Sequence, residues 1–202
     1  MKKLVVASNN AHKIGEIREI LKEDNIQVFS LKDLGIDIDV VEDGDTFMEN
    51  AYKKAKEIYD YIVENKLGDY MVMSDDSGLS VDILKGEPGV YSARYAGDHG
   101  NSEKNNQKLL DNLKGVAYED RKARFICAMV LIDGENKIIK VQGEAEGYII
   151  DNATGVGGFG YDPIFYVPEF KKTFAEMSSE DKNAISHRGK ALNKLKKELN
   201  SL

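Results

Sequence analysis

The chain is poor in features that would place it in several familiar classes. It has one cysteine, Cys127, so an intrachain disulfide cannot form, which accords with a reducing compartment. It has no tryptophan and only three prolines, Pro88, Pro163 and Pro168. No Pro/Ser-rich linker, internal repeat or low-complexity stretch divides it. Nowhere does an apolar run approach the roughly 18 residues that span a bilayer. The opening stretch, Met1 to Asn10, is basic and then apolar too briefly for the core of a signal peptide. The expected location is the cytoplasm. Positive charge is in deficit as well: 28 Lys and Arg against 35 Asp and Glu leave a net charge of −7. That balance argues against a non-specific nucleic-acid or membrane-surface binder. A small anionic ligand is not excluded, because it responds to the local field.

What is present suffices for a folded core: 42% of the 202 residues are hydrophobic. Residues 3–7 read as a short buried strand, 11–23 as a helix through Ile14, Ile17 and Leu21, and 26–29 as a second strand. Phe47, Ala51, Ala55, Ile58 and Ile62 form one stripe of a longer helix, with a capping box predicted at Thr46 and Glu49. Residues 70–74 read as a strand that delivers Asp75-Asp76-Ser77-Gly78 at its end. A helix is expected near 102–114, then strands over 124–132 and 137–150 joined by a turn at Asp133-Gly134. Ser186 is placed to cap a last helix carrying Leu192, Leu195 and Leu199. Alternating elements early and a long strand pair late predict an α/β protein with a mixed sheet.

Five segments carry candidate chemistry. Ser8-Asn9-Asn10-Ala11-His12-Lys13 lies at a strand-to-helix junction, where free N–H groups, neutral donors and Lys13 suit a phosphate. The same residues also suit an ordinary helix cap. Asp75-Asp76-Ser77-Gly78 sets two acids side by side, which calls for a cation such as Mg²⁺, a water-activating role, or a surface turn. Glu42, ahead of the helix with Glu49, Asn50 and Lys54, could complete a metal site, although Glu49 could only close the capping box and Lys54 could only lie on a solvated face. Gly157-Gly158-Phe159-Gly160-Tyr161-Asp162-Pro163-Ile164-Phe165 offers two flat rings to a nucleobase and an acid beside them, or only a glycine-rich bend with core aromatics. Ser186-His187-Arg188, with Lys182 nearby, puts positive charge at a helix start, an unfavourable place that asks for an anionic or carbonyl partner.

Taken together, these motifs resemble the inosine triphosphate pyrophosphatase family. The resemblance covers nearly the whole chain. It runs through Ser8-Asn9-Asn10-x-x-Lys13, Phe47-x-Glu49-Asn50-Ala51-x-x-Lys54-Ala55, Asp75-Asp76-Ser77-Gly78-Leu79, Pro88-Gly89-Val90-Tyr91-Ser92-Ala93-Arg94, Gly158-Phe159-Gly160-Tyr161-Asp162-Pro163-Ile164-Phe165 and Ser186-His187-Arg188. It implies a single α/β domain over residues 1–202, with an elongated mixed sheet flanked by helices and two lobes around a central cleft. It implies a cytosolic, Mg²⁺-dependent homodimer. Such an enzyme hydrolyses ITP, dITP and XTP to the monophosphate and pyrophosphate, clearing deaminated purines from the nucleotide pool.

The resemblance also implies residue roles. Asp76 would be catalytic base and metal ligand, with Glu42 and Asp75 helping to hold the metal. Ser8, Asn9, Asn10, Ala11, His12, Lys13 and Lys54 would hold the triphosphate, and Ser77 would contact substrate nearby. Phe159 and Tyr161, around Gly160, would sandwich the purine, and Asp162, Lys182, His187 and Arg188 would read its edge. Two departures stand out: Asp151 to Gly155 lacks the proline of many relatives, and Tyr161 stands where some carry tryptophan. Two other functions compete: a pyrophosphatase of the septum-inhibitor type, whose N-terminal Ser-x-Arg-Arg-like motif is missing, and a non-catalytic nucleotide sensor.

Overall fold

The computed structural model describes residues 2–134 and 137–200. A seven-stranded sheet has the order β2-β1-β3-β4-β5-β6-β7. Its strands are β1 (Lys2–Val6), β2 (Ile26–Ser30), β3 (Met71–Val81), β4 (Lys122–Ile132), β5 (Ile138–Ile149), β6 (Phe165–Val167) and β7 (Lys172–Thr173). β1 pairs in parallel with β2 and β3, whereas β5–β6 and β6–β7 are antiparallel, so the sheet is mixed. The helices are α1 (Ala11–Leu21), α2 (Phe47–Glu64), α3 (Ser102–Asn112), α4 (Ser179–Ile185) and α5 (His187–Asn200). None of the described helices is long and apolar enough to cross a membrane.

The chain divides into two compact units. The first comprises residues 1–76, 127–143 and 188–202, the second 77–126 and 144–187. In the first, strand alternation sorts side chains into two layers. Leu4 and Val6 of β1 and Met71 and Met73 of β3 pack with Ile14, Ile17 and Leu21 of α1 and Leu192 and Leu195 of α5. Val5, Ala7 and Val72 point the other way, onto Ile58 and Ile62 of α2. Ala128 and Val130 of β4 meet Ala51 and Ala55 of the same helix. The second unit has its own core, in which Leu79 and Val81 of β3 pack with Leu109 and Leu113 of α3, Phe125, Ile149, Phe165 and Phe174.

Most expected elements are present, and the differences concern the site. The acidic motif does not end a strand: β3 runs on to Val81, so Asp75, Asp76, Ser77 and Gly78 all lie within it. The reading of these residues as a surface turn gives way for the same reason. The capping box of α2 forms, with Thr46 Oγ1 accepting from Glu49 N and Glu49 Oε2 accepting from Thr46 N. The turn expected at Asp133-Gly134 borders residues 135–136, which lie outside the described residues; Gly134 has φ +66°. Near the end, Ser186 adopts an extended conformation that separates α4 from α5. It follows a short helix that periodicity did not reveal, since seven residues hold too few apolar positions to show a stripe.

Candidate active site

The continuation of β3 explains how two adjacent acids coexist. Asp75 shares the parity of Met71 and Met73, and Asp76 that of Val72, so the carboxylates point to opposite faces of the sheet. Their hydrogen-bond donors differ, Arg188 for Asp75 and Asn50 for Asp76.

Asp75 is fully buried. Its Oδ2 accepts from Arg188 Nη2 at 3.1 Å and pairs with Lys13 Nζ at 3.2 Å. Burial on its own would raise the Asp75 pKa. The positive charge of Lys13, Arg188 and Lys54 outweighs burial and holds the carboxyl well below the usual carboxylate range. Arg188 reaches from the first turn of α5, and its other arm pairs with Glu16 of α1.

Asp76 faces the α2 layer. Its Oδ2 accepts from Asn50 Nδ2 at 3.0 Å. Burial, helped by the negative charge of Glu42, pushes its pKa up to about 6 against the pull of Lys54 and Lys13. Glu42 itself is held below its ordinary value: burial opposes this, but Lys54 Nζ stands 3.1 Å from its Oε1. The Glu42 and Asp76 carboxyls lie near enough to influence each other's pKa. Lys54 is buried, not on a solvated face, and donates to the Asp75 main-chain carbonyl at 2.7 Å. A third β3–α2 tie is Ser74 Oγ donating to Ala51 O.

Asn50 links three parts of this arrangement, because its Oδ1 also accepts from Gly44 N at 2.8 Å. A Cβ on Gly44 would fall 2.8 Å from that Oδ1 and 2.9 Å from Glu49 Cβ, so only glycine lets the segment carrying Glu42 lie this close to α2.

At the start of α1 the reading as an ordinary helix cap holds. Asn10 is the N-cap, its Oδ1 accepting from His12 N and Lys13 N, while Ser8 Oγ accepts from Asn10 N. Asn9 Nδ2 donates to Ile38 O. Asn9, Asn10, Ala11 and His12 are exposed, Ser8 and Lys13 half-buried. Ser77, the next residue of β3, is also half-buried.

The second unit holds the glycine-aromatic loop. Asp162 is buried, its Oδ2 accepting from Phe159 N at 2.8 Å and Lys182 Nζ at 2.7 Å. Lys182 Nζ also stands 5.1 Å from the Phe159 ring centroid, and His187 stacks on Phe125 at 4.7 Å. Phe159 is half-exposed, but Tyr161 is only 4% exposed, with its hydroxyl donating to Ser92 O and its ring in the core. The two rings thus stand differently. Gly158 is obligatory: at φ +69° its Cβ would sit 2.0 Å from Asp162 Oδ2. Gly158→Ala is expected to cost about 1–3 kcal/mol of unfolding free energy, read by urea denaturation; a loss within error would show that the loop can move aside.

The structure therefore gathers Lys13, Glu42, Lys54, Asp75 and Asp76 in one unit and Phe159, Asp162, Lys182 and His187 in the other. Arg188, expected with the latter group, is instead 1% exposed and bound to Asp75 and Glu16. The anionic partner sought for its place at a helix start is supplied by the protein's own carboxylates. Sequence reasoning assigned no role to Glu16, Gly44 or Asn50. Glu16 carried a usable signal, one helical turn beyond Lys13, and Asn50 another, beside the capping Glu49.

A model of the Ham1 family matches residues 4–198. The chain belongs to the Ham1 family. Among its relatives, a dITP/XTP pyrophosphatase of Clostridium perfringens is 57% identical, covering 100% of this chain and 99% of that protein. One of Clostridium tetani is 55% identical, covering 100% and 98%. Solved structures agree: the Staphylococcus aureus Ham1 protein superposes with a TM-score of 0.85 at 41% identity, covering 99% of both chains. A Ham1 protein from Coxiella burnetii gives 0.84 at 36%, covering both chains entirely.

Proposed function

We propose that this Ham1 protein hydrolyses dITP, XTP and ITP to the nucleoside monophosphate and pyrophosphate with the help of Mg²⁺. The observation that carries the reading is the setting of Asp76: a carboxylate fixed by Asn50, near Glu42, in the unit that also supplies Lys13 and Lys54. The similarity to the Clostridium dITP/XTP pyrophosphatases supports it.

In this reading Asp76 takes a proton from water as its oxygen attacks the α-phosphorus. A P–O bond forms there, the bond to the bridging oxygen of the β-phosphate breaks, and pyrophosphate departs with the electron pair. Lys13, kept in place by Asp75, and Lys54 supply positive charge to the phosphates. Ser8, Asn10 and the start of α1 offer donors to the same groups.

The donors fit a hard divalent cation. Glu42 and Asp76 give carboxylate oxygens on one face of β3, and their mutual repulsion is relieved by a cation. Among the described residues no three His, Cys, Asp or Glu side chains are grouped to hold a metal unaided. Mg²⁺ characteristically takes its remaining ligands from water and substrate phosphates. We assign the metal to Glu42 and Asp76. Asp75, with Oδ2 engaged by Arg188 and Lys13, acts through Lys13. Mg²⁺ would neutralise charge on the phosphate oxygens.

Phe159 offers a face to the purine, and Lys182 and His187 offer donors to a 6-oxo group. Adenine presents a donor at that position, and the mismatch disfavours it. Phe159→Ala is expected to raise KM for dITP about 10- to 100-fold, with a smaller change in kcat, because stacking is worth about 1–3 kcal/mol per base and is largely ground-state binding. An unchanged KM would remove Phe159 from base recognition. The homodimer and the cytosolic location belong to the same proposal, supported by the family resemblance; light scattering on the eluting protein tests the dimer.

The test of function is product analysis by anion exchange with ITP, XTP, dITP, GTP, ATP and dTTP, with and without Mg²⁺. Expected is metal-dependent conversion of the first three to monophosphate and pyrophosphate, with ATP and GTP largely intact. Preferred cleavage of dTTP would support the septum-inhibitor type. A folded protein that cleaves none of them would leave the sensor reading standing, with nucleotide binding as the next measurement.

A further inference from the structure

The glycine-aromatic loop is held at its base and at its apex by different groups. At the base, Gly157 N donates to Ala175 O at 3.0 Å and Thr154 N to Pro163 O at 2.8 Å. A Cβ on Gly155 would fall 2.5 Å from the Ala175 carbonyl carbon, so this end lies against a neighbouring backbone. At the apex, Asp162 Oδ2 takes the Phe159 N–H. There a side chain also arrives from α3: Asn106 Nδ2 donates to Gly160 O at 3.1 Å. Gly160 lies at φ +64° with nothing within 4 Å of where a Cβ would stand, so side-chain packing does not set the direction of its carbonyl.

The Asn106 amide fits only one way round. Turned over, its Oδ1 would face the Gly160 carbonyl, acceptor to acceptor. In the orientation that bonds, Oδ1 is buried and accepts no hydrogen bond among the described residues. An orphaned buried acceptor costs stability. Leucine, close in size and a better helix former, would remove that cost. The position thus keeps an amide against the stability of its own helix. In return the amide supplies a bond to the residue between Phe159 and Tyr161.

We propose that Asn106 is a positioning residue for the nucleobase, fixing the Gly160 peptide and through it the pitch of the Phe159 ring. The inference rests on the base-stacking reading above. Asn106 carries no charge and acts through the loop, so its influence falls on the base and not on the phosphates.

The test compares wild type, Asn106→Leu and Asn106→Asp, the last nearly isosteric but without the donor. Steady-state kinetics with dITP and Mg²⁺ are set beside competitive inhibition by inorganic tripolyphosphate, which has no base. In both variants KM for dITP should rise about five- to tenfold, the worth of one neutral hydrogen bond. Meanwhile kcat stays within about twofold and the tripolyphosphate inhibition constant is unchanged. Asn106→Leu should melt no lower than wild type. Wild-type KM in both variants would overturn the proposal. So would equal weakening of dITP and tripolyphosphate, which would mark a general structural loss. If Asn106→Leu fails to fold, Asn106→Asp carries the same comparison. Wild type that cleaves none of dITP, ITP and XTP would instead overturn the functional reading, and the inference with it.

Discussion

Asp76→Asn is expected to lower kcat for dITP by about a thousandfold at saturating Mg²⁺, with nucleotide binding and Tm close to wild type. An amide at this position keeps the shape of the carboxylate and can still offer an oxygen to Asn50 Nδ2. It cannot take a proton from water. General-base groups contribute about 10²- to 10⁴-fold, and the middle of that range sets the expectation. Stability should not suffer. The carboxylate at 76 is pushed up by burial and by Glu42, so it is held at some electrostatic expense that the amide removes. The measurements are steady-state kinetics, calorimetric titration with dITP and thermal melting. A kcat within tenfold of wild type would take Asp76 out of proton transfer and leave Glu42 as the acid to examine.

How far this site was legible follows from what periodicity can report. Long elements with a clear apolar stripe, such as α2 through Ala51, Ala55, Ile58 and Ile62, can be read directly, and so can its cap at Thr46 and Glu49. From the sequence the strand through Asp75 reads as ending early, because charged residues normally mark the end of a buried strand. Here burial runs on through Asp75 and Asp76, since each acid meets cations or donors that lie far away in sequence. Asp75 meets Arg188 across 113 positions, and no local pattern announces such a pair. The candidate residues were recognisable as motifs. Their grouping was not, because it depends on the face to which each side chain points. Once β3 is known to continue, parity alone separates Asp75 from Asp76. Arg188 shows the same limit. Its unfavourable place at a helix start signalled a partner, but charge alone does not distinguish a ligand oxygen from a carboxylate of the same protein.

That partnership carries the second large effect. Arg188→Met is expected to destabilise the protein by about 3–5 kcal/mol, the usual penalty for stripping one member from a buried ion pair. Both ends are deeply buried, with side-chain exposures of 1% for Arg188 and 0% for Asp75. The cost arises less from a lost bond than from what remains: Asp75 would keep Lys13 as an ion-pair partner, but its Oδ1 already accepts no hydrogen bond among the described residues. Arg188→Lys should not rescue, because one ammonium cannot present the planar fork that serves Asp75 with one arm and Glu16 with another. Urea denaturation of Arg188→Met, Asp75→Asn and the double variant gives the coupling. If the two residues act as a pair, the double variant loses less than the sum of the single losses. Additive losses, or a cost below about 1 kcal/mol for Arg188→Met, would mean that the pair is not what holds β3, α1 and α5 together. The expected coupling would also account for the placing of a buried arginine in the first turn of α5. There the helix dipole opposes it, and two carboxylates from other elements offset both the dipole and the loss of water.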